Sequence, residues 1–336
     1  MIGRSIYISQ YAENMALDER CDFYFTSLHI AEEFNDDYKE KVDALLKKLE
    51  AAGKKIIVDL SPRGLEILGF KSIEELAKKY RIDYIRYDFG FKEDEIVAYS
   101  RYCGTAVNAS TCNIDLLDKL QGDVIAIHNF YPRKETGLDR EYYEERNELF
   151  KNRGIKVGTF ICGDKDFRGP LFEGLPTLEE HRNKKPYIQY LDLRKESDLI
   201  IVGDAGLSDY EADLIYKTEK EGIIQVPAEL NGYPCLYGRT FTNRIDSPSW
   251  LIRIKESREY ATAGQTIEPT CCIERKRGSV TIDNLKYLRY SGEMQIIKKD
   301  LPEDEKVNVI GRVLEEYLEV IDHTKRNDRF CFVKGE

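Results

Sequence analysis

KKIIVDLSPRGLEILGFKSIEELAKKYRIDYIRYDFG, residues 54–90, holds the pattern that decides the architecture. KKIIVDLS (54–61) and DYIRYDFG (83–90) are short β-rich runs that read as buried strands. Between them the apolar residues fall at helical spacing, and Ser72 with Glu75 spells a capping box at a helix start. Strand, helix, strand in so few residues is the unit of a parallel sheet.

The unit recurs on both sides. Further strands are expected at GRSIYIS (3–9), CDFYFTSL (21–28), TAVNAST (105–111), DVIAIHNF (123–130), KVGTFIC (156–162) and SDLIIVGD (197–204). YKEKVDALLKKLEAAG reads as a helix ending at Gly53, and capping boxes are spelled again by Thr177 with Glu180 and Ser208 with Glu211. Eight strand–helix pairs in about 220 residues fit a (β/α)8 TIM barrel over residues 1–222. An open doubly wound sheet is the alternative, but no GxGxxG opens the first helix. After about residue 222 the pattern changes. Residues 223–336 offer short strands (IIQVPAEL, SWLIRIKES, GSVTIDN, MQIIKKD, DRFCFVKG) and one helical segment, RVLEEYLEVI, which predicts a small β-rich second domain.

The 336 residues are 42% hydrophobic and 33% charged, an ordinary globular composition, and the formal net charge of −10 argues against a nucleic-acid partner. The N-terminal MIGRSIYISQYAEN lacks the features of a signal peptide, and no run approaches a membrane span. Eight cysteines without a CxxC pair read as free thiols in a reducing cytosol. The expectation is a cytoplasmic protein with no membrane partner.

In such a barrel the strand C-terminal ends line the active site. Those ends supply Ser9; Ser27 and His29; Asp59, Ser61 and Arg63; Asp88; Asn108, Ser110 and Thr111; His128, Asn129, Tyr131 and Arg133; Asp164; and Asp204. Each also has a plain reading as a helix cap or loop tie, but the ring as a whole points to a functional site. Glycoside cleavage needs two carboxyl groups across the scissile bond, roughly 5 Å apart for retention or 6.5–9.5 Å for inversion. Asp59 and Asp88 end adjacent strands and are the first candidates, with Glu173 and Asp204 in reserve.

The connection after the seventh strand, DKDFRGPLFEGLP (164–176), is longer than the usual two to six residues, as loops that bind or catalyse often are. Phe167 and Phe172 could wall a sugar, Arg168 could meet an anion, and Gly169 and Gly174 would let the loop bend. Thr177 would open the next helix, whose N-terminus could bind an anion. Arg63 in DLSPRG and Arg133 in NFYPRKETG each follow a strand end and a proline, a placement suited to clamping phosphate or carboxylate.

Several of these stretches resemble the bacterial 6-phospho-N-acetylmuramidases, glycoside hydrolase family 170. They are IVDLSPRGLEILG (57–69), RYDFGF (86–91), NAST (108–111), HNFYPRKETGL (128–138), FICGDKDFRGPLFEGLPTLEEHR (160–182) and RIDSPSWLIR (244–253). The resemblance implies a TIM barrel followed by a cyclophilin-like β-barrel domain. It implies cytosolic hydrolysis of the β-1,4 bond of N-acetylmuramic acid 6-phosphate–N-acetylglucosamine in peptidoglycan recycling, with no cofactor. A phosphorylated muramyl disaccharide carries two anions, which Arg63, Arg133 and Arg168 would meet. Asn108, His128, Asn129, Tyr131 and Asp164 are the other expected substrate contacts. No catalytic pair is carried over from the family, and a homodimer is left open.

Two other readings compete. A metal-dependent barrel hydrolase or isomerase acting on a phosphorylated sugar would draw its ligands from His128, Asp59, Asp88 and Asp204. A non-enzymatic binding protein is the third reading, which the dense polar ring opposes. No strand end offers the lysine of a Schiff-base aldolase, and strand 1 lacks the HxH of an amidohydrolase.

Overall fold

Strand β3, Lys55–Leu60, forms where five consecutive buried residues follow an exposed lysine, and it lies parallel to β2 (Phe23–Ser27) and β4 (Tyr84–Tyr87). The computed structural model describes residues 1–87, 89–257 and 266–336. With β1 (Ile2–Ser5), β5 (Gly104–Asn108), β6 (Val124–Ile127), β7 (Lys156–Ile161) and β8 (Leu199–Val202), these strands close a parallel eight-stranded barrel in sequence order, β8 pairing back onto β1. All eight expected strands are present, each shorter than its apolar run.

Period-two alternation decides what faces inward. Phe23, Phe25, Ile57, Ala106, Ile125, Ile127, Phe160, Leu199 and Ile201 pack as one buried cluster, with Tyr84 against it. The alternate residues Val107, Ala109, Ala126 and Val157 pack instead with Phe150 of α5 (Arg140–Lys151). Helix α1 (Tyr38–Ala51) buries Val42, Leu45, Leu46 and Leu49, one stripe at helical spacing. Each such side chain contributes about 1.5–3 kcal/mol by leaving water. Just past that helix Gly53 takes φ +65°, the left-handed conformation that lets the chain turn.

The connections are less regular than eight strand–helix pairs. Among the described residues, β1 and β2 are joined with only a 3-10 turn at Ile8–Gln10, and β5 and β6 through a 3-10 segment at Ile114–Lys119. Two helices, α2 (Pro62–Leu68) and α3 (Ile73–Lys79), follow β3, and Ser72 caps the second by accepting from Glu75 N at 3.3 Å. The cap read at Thr177 is corrected. Thr177 is buried, its hydroxyl accepts from Phe160 N and donates to the Asn129 carbonyl, and no α-helix begins until α6 at Pro186–Leu193.

The chain divides into two compact units, Met1–Asp209 and Tyr210–Glu336. The second takes all but the first residue of α7 (Asp209–Glu221) and contains a seven-stranded sheet of β9 (Ile223–Leu230), β10 (Thr240–Thr242), β11 (Leu251–Arg253), β12 (Ser279–Asp283), β13 (Met294–Ile297), β14 (Val307–Val313) and β15 (Arg329–Val333). Their spatial order is β10-β15-β9-β14-β12-β13-β11. The sheet curls until its two edges meet: Arg244 N donates to Arg253 O at 2.9 Å and Lys255 N to Thr242 O at 3.0 Å. The helical reading of RVLEEYLEVI is corrected. Its first two residues end β14, where Val313 pairs with Ala228, and only a 3-10 turn and the short helix Val320–His323 follow. Sheet pairing of a buried valine overrides the local helical spacing.

Candidate active site

The inward columns of the barrel end in polar residues. Phe25 is followed two residues on by Ser27, Ile57 by Asp59, Tyr84 by Arg86, Ala106 by Asn108, and Ile127 by Asn129. Parity therefore aims five polar groups at the C-terminal mouth, and register brings neighbours level: Ser27 beside Asp59, Asp59 beside Arg86.

They form one network. Arg86 Nη1 donates to Asp59 Oδ1 at 3.0 Å, and Arg86 Nη2 donates to Asn129 Oδ1, which also accepts from Asn108 Nδ2 at 3.1 Å. The other oxygen of Asp59 lies 3.4 Å from both Ser27 Oγ and His29 Nδ1, and those two are 3.0 Å apart. Asp59 and Arg86 are buried, whereas the His29 side chain stays partly open. Among the described residues Arg86 Nε finds no hydrogen-bond partner, a buried donor at the barrel mouth. The arrangement can hold a fixed pair of opposite charges beneath a sugar, with His29, Asn108 and Asn129 offering hydrogen bonds.

Asn129 is held from behind. Its backbone N–H donates to Ser110 Oγ at 3.0 Å, Ser110 Oγ lies 3.2 Å from His128 Nδ1, and His128 Nε2 lies 2.8 Å from Asn147 Oδ1 on α5. The Asn147 oxygen is an acceptor, which places a proton on Nε2. Burial pushes the imidazole pKa down to about 4, although the Asn147 hydrogen bond acts the other way. His128 shares the outward parity of Ala126, is fully buried and meets Tyr143 ring to ring at 4.8 Å. The sequence reading of His128 as a substrate contact or metal ligand is thus corrected: both ring nitrogens are engaged on the helix side of the barrel wall.

Asp204, just past β8, organises the long loop. It is buried, and its carboxylate accepts from Gly163 N at 3.0 Å, Arg168 N at 3.1 Å and Leu175 N at 3.2 Å. Burial raises its pKa while these amides oppose the rise. The loop is consequently pinned at both ends and in the middle. Gly174 is obligatory there: it has φ +79°, and a Cβ would lie 2.8 Å from Cys162 Sγ. Arg182 ties this loop to the one after β6. Its guanidinium pairs with Glu179 and donates to Glu173 O at 3.1 Å and Tyr131 O at 2.9 Å. Asp164 accepts from Ser208 N at 2.7 Å.

The remaining candidates are less gathered. Arg168 lays its guanidinium 4.5 Å from the Tyr7 ring centre and 5.7 Å from that of Phe130. It walls a cavity of about 220 Å³ with Ser9, Glu33 and Pro170. Glu33 there is spent on Ile8 N, Ser9 N and the Ser9 hydroxyl. Glu173 pairs with Lys134 at 2.9 Å, a hydrogen bond that holds its carboxyl below the usual range. Phe167 and Phe172 are exposed loop rings. Arg63 and Arg133 are exposed and neither enters the Asp59 network; Arg63 lies 5.8 Å from the Phe34 ring centre. Asp88 lies outside the described residues.

Sequence reasoning overlooked Arg86, Asn147 and Arg182. Arg86 had a visible signal, an isolated cation with the inward parity of Tyr84; Arg182 and Asn147 had none, because their partners are distant in the chain.

A closed parallel barrel whose C-terminal mouth gathers a buried ion pair, amide donors and aromatic rings has the layout of a (β/α)8-barrel enzyme. Family models described as the N-terminal and C-terminal parts of 6-phospho-N-acetylmuramidase match residues 2–217 and 228–333. The chain belongs to the 6-phospho-N-acetylmuramidase family and is a glycosidase. Among solved structures it is similar to a conserved Enterococcus faecalis protein of unknown function, with 31% identity, TM-score 0.85, and 99% of this chain and 96% of that one covered. It is also similar to an uncharacterized B. cereus protein, with 25% identity, TM-score 0.77 and 99% of both chains covered. No curated protein gives a significant sequence match.

Proposed function

We propose that the protein hydrolyses the β-1,4 bond of N-acetylmuramic acid 6-phosphate–N-acetylglucosamine during cytosolic peptidoglycan recycling. The observation that carries this reading is the match of both family models, together spanning nearly the whole chain. The mouth supports it: Arg168 offers a cation to an anionic group of the substrate, and Phe167 and Phe172 offer apolar faces to sugar rings. Asp59 and Asp88 are the carboxyl pair we favour. Glu173 is the reserve, its pairing with Lys134 suiting a base better than an acid. Asp204, committed to three backbone amides, serves better as the loop's anchor. A cytosolic setting accords with the fact that no helix among the described residues is long and apolar enough to cross a membrane. The cyclophilin-like reading of the second unit rests on the sequence resemblance.

Proton NMR of the full chain acting on the phosphorylated muramyl disaccharide tests substrate and stereochemistry together. Anomeric signals of both released sugars are expected. Equal turnover of the unphosphorylated disaccharide, or none of either, would overturn the proposal.

A further inference from the structure

The second unit carries a cavity that hydrolysis at the barrel does not use. It measures about 370 Å³, within the range of small-molecule sites, and Pro248, Leu251 and Ile252 give it an apolar side. Three cations also line it, Lys298, Lys325 and Arg326, and no carboxylate does among the described residues. A one-signed cationic lining runs against the net charge of −10.

The three cations differ in how they are held. Lys298 is half-buried, and its ammonium makes no hydrogen bond or ion pair among the described residues. Burial lowers its pKa, and Lys325 and Arg277 lower it further. Asp322, the carboxylate that acts against this shift, is itself engaged by both terminal nitrogens of Arg277. A half-buried cation whose carboxylate is shared with an arginine is under-compensated, and a bound anion would lessen that cost. Arg326 donates from Nε to Ser247 O at 2.9 Å, which fixes the guanidinium and leaves its two terminal nitrogens without partners among the described residues. Paired nitrogens of this kind match two oxygens of one phosphate. Lys325 sits on a closed turn: its N–H donates to Asp328 Oδ2 at 2.8 Å, and its carbonyl accepts from buried Asn243 Nδ2 at 3.0 Å. The Arg326 guanidinium and the Lys325 backbone are therefore fixed before any ligand arrives, while the Lys325 ammonium stays exposed.

We propose that this cavity binds a small sugar phosphate, with Arg326 and Lys325 gripping the phosphate, Lys298 balancing its charge, and the Leu251–Ile252 side taking the sugar ring. The inference stands apart from the reading of the barrel mouth.

Isothermal titration of the full chain with N-acetylglucosamine 6-phosphate, N-acetylglucosamine and inorganic phosphate tests it. Saturable binding of the phosphosugar is expected, weakened at least ~10-fold by Lys298→Met and by Lys325→Glu, through loss of charge-assisted contacts. Arg168→Gln in the barrel should leave this binding intact. The Lys325 ammonium bears no structural contact among the described residues, so its variant decides the matter if Lys298→Met fails to fold. Unchanged affinity in Lys325→Glu overturns the site, as does the absence of saturable binding up to about 10 mM, weaker than any useful site. Inorganic phosphate or the plain sugar binding as tightly as the phosphosugar overturns the ligand class. Loss of disaccharide hydrolysis with this binding preserved would strike the barrel reading alone.

Discussion

Arg86 Nη1 lies 3.0 Å from Asp59 Oδ1 at the centre of the barrel mouth, with both side chains almost wholly withdrawn from water. Among the described residues neither charge has another opposite charge so near, apart from His29 when it is protonated. Removing one partner leaves the other buried and uncompensated. Arg86→Met should therefore cost about 3–5 kcal/mol in denaturant unfolding. The double variant with Asp59→Asn should cost less than the sum of the two single changes, a coupling that equilibrium unfolding measures directly.

The proposed carboxyl pair makes a kinetic prediction. Asp59→Asn and Asp88→Asn should each lower turnover of the phosphorylated disaccharide at least ~100-fold, as removal of a catalytic carboxylate does, while circular dichroism stays unchanged. Wild-type-like rates in both would remove the assignment.

Asp204 and Glu173 separate an anchor from a reacting group. Asp204→Ala strands three backbone amides, so it should loosen the loop, raise KM and cost about 2–4 kcal/mol. Glu173→Gln loses a solvent-accessible ion pair and should leave stability nearly unchanged. A 100-fold fall in kcat with Glu173→Gln, at unchanged stability, would promote it from reserve to catalytic carboxylate, using the scale on which such losses fall.

His128 makes stability depend on acid. Its folded pKa, about 4, lies below the unfolded value near 6.5, so the unfolded chain takes up the proton first as pH falls. Stability should be full above pH ~6.5 and decline from there toward pH ~4, by up to about 3 kcal/mol from this group. Unfolding midpoints across that window should fall less steeply in His128→Gln.

Asp283 acts in the opposite sense. Burial first, then Glu293 and Asp304, push its pKa up to about 7, so the folded chain keeps a proton that the unfolded chain has lost. That stability is present below pH ~4 and disappears as pH rises through about 7. Asp283→Asn should raise Tm at pH 8, by roughly 1–3 kcal/mol in stability terms, and change little at pH 4. An unchanged Tm at pH 8 would mean that the carboxyl finds a counter-charge.

The alternation of short apolar runs with helical spacing was enough to specify eight parallel strands, because buried strands and amphipathic helices are each written in neighbouring residues. Inward parity was legible as well: Ile57-Asp59, Tyr84-Arg86 and Ile127-Asn129 each repeat at two residues, so the polar mouth was already spelled. What the sequence alone could not supply was which polar groups meet. Asp59 finds Arg86 27 positions on, and Arg86 finds Asn129 43 positions further, distances that only barrel closure and strand register bridge. The same closure turned His128 outward onto Asn147, spent Asp204 on the loop, and placed Thr177 against Phe160 rather than at a helix start. Local spacing states what a segment tends to form; a buried polar group takes whichever partner the packed fold brings within 3 Å or so, since leaving it unpaired costs more than any local preference.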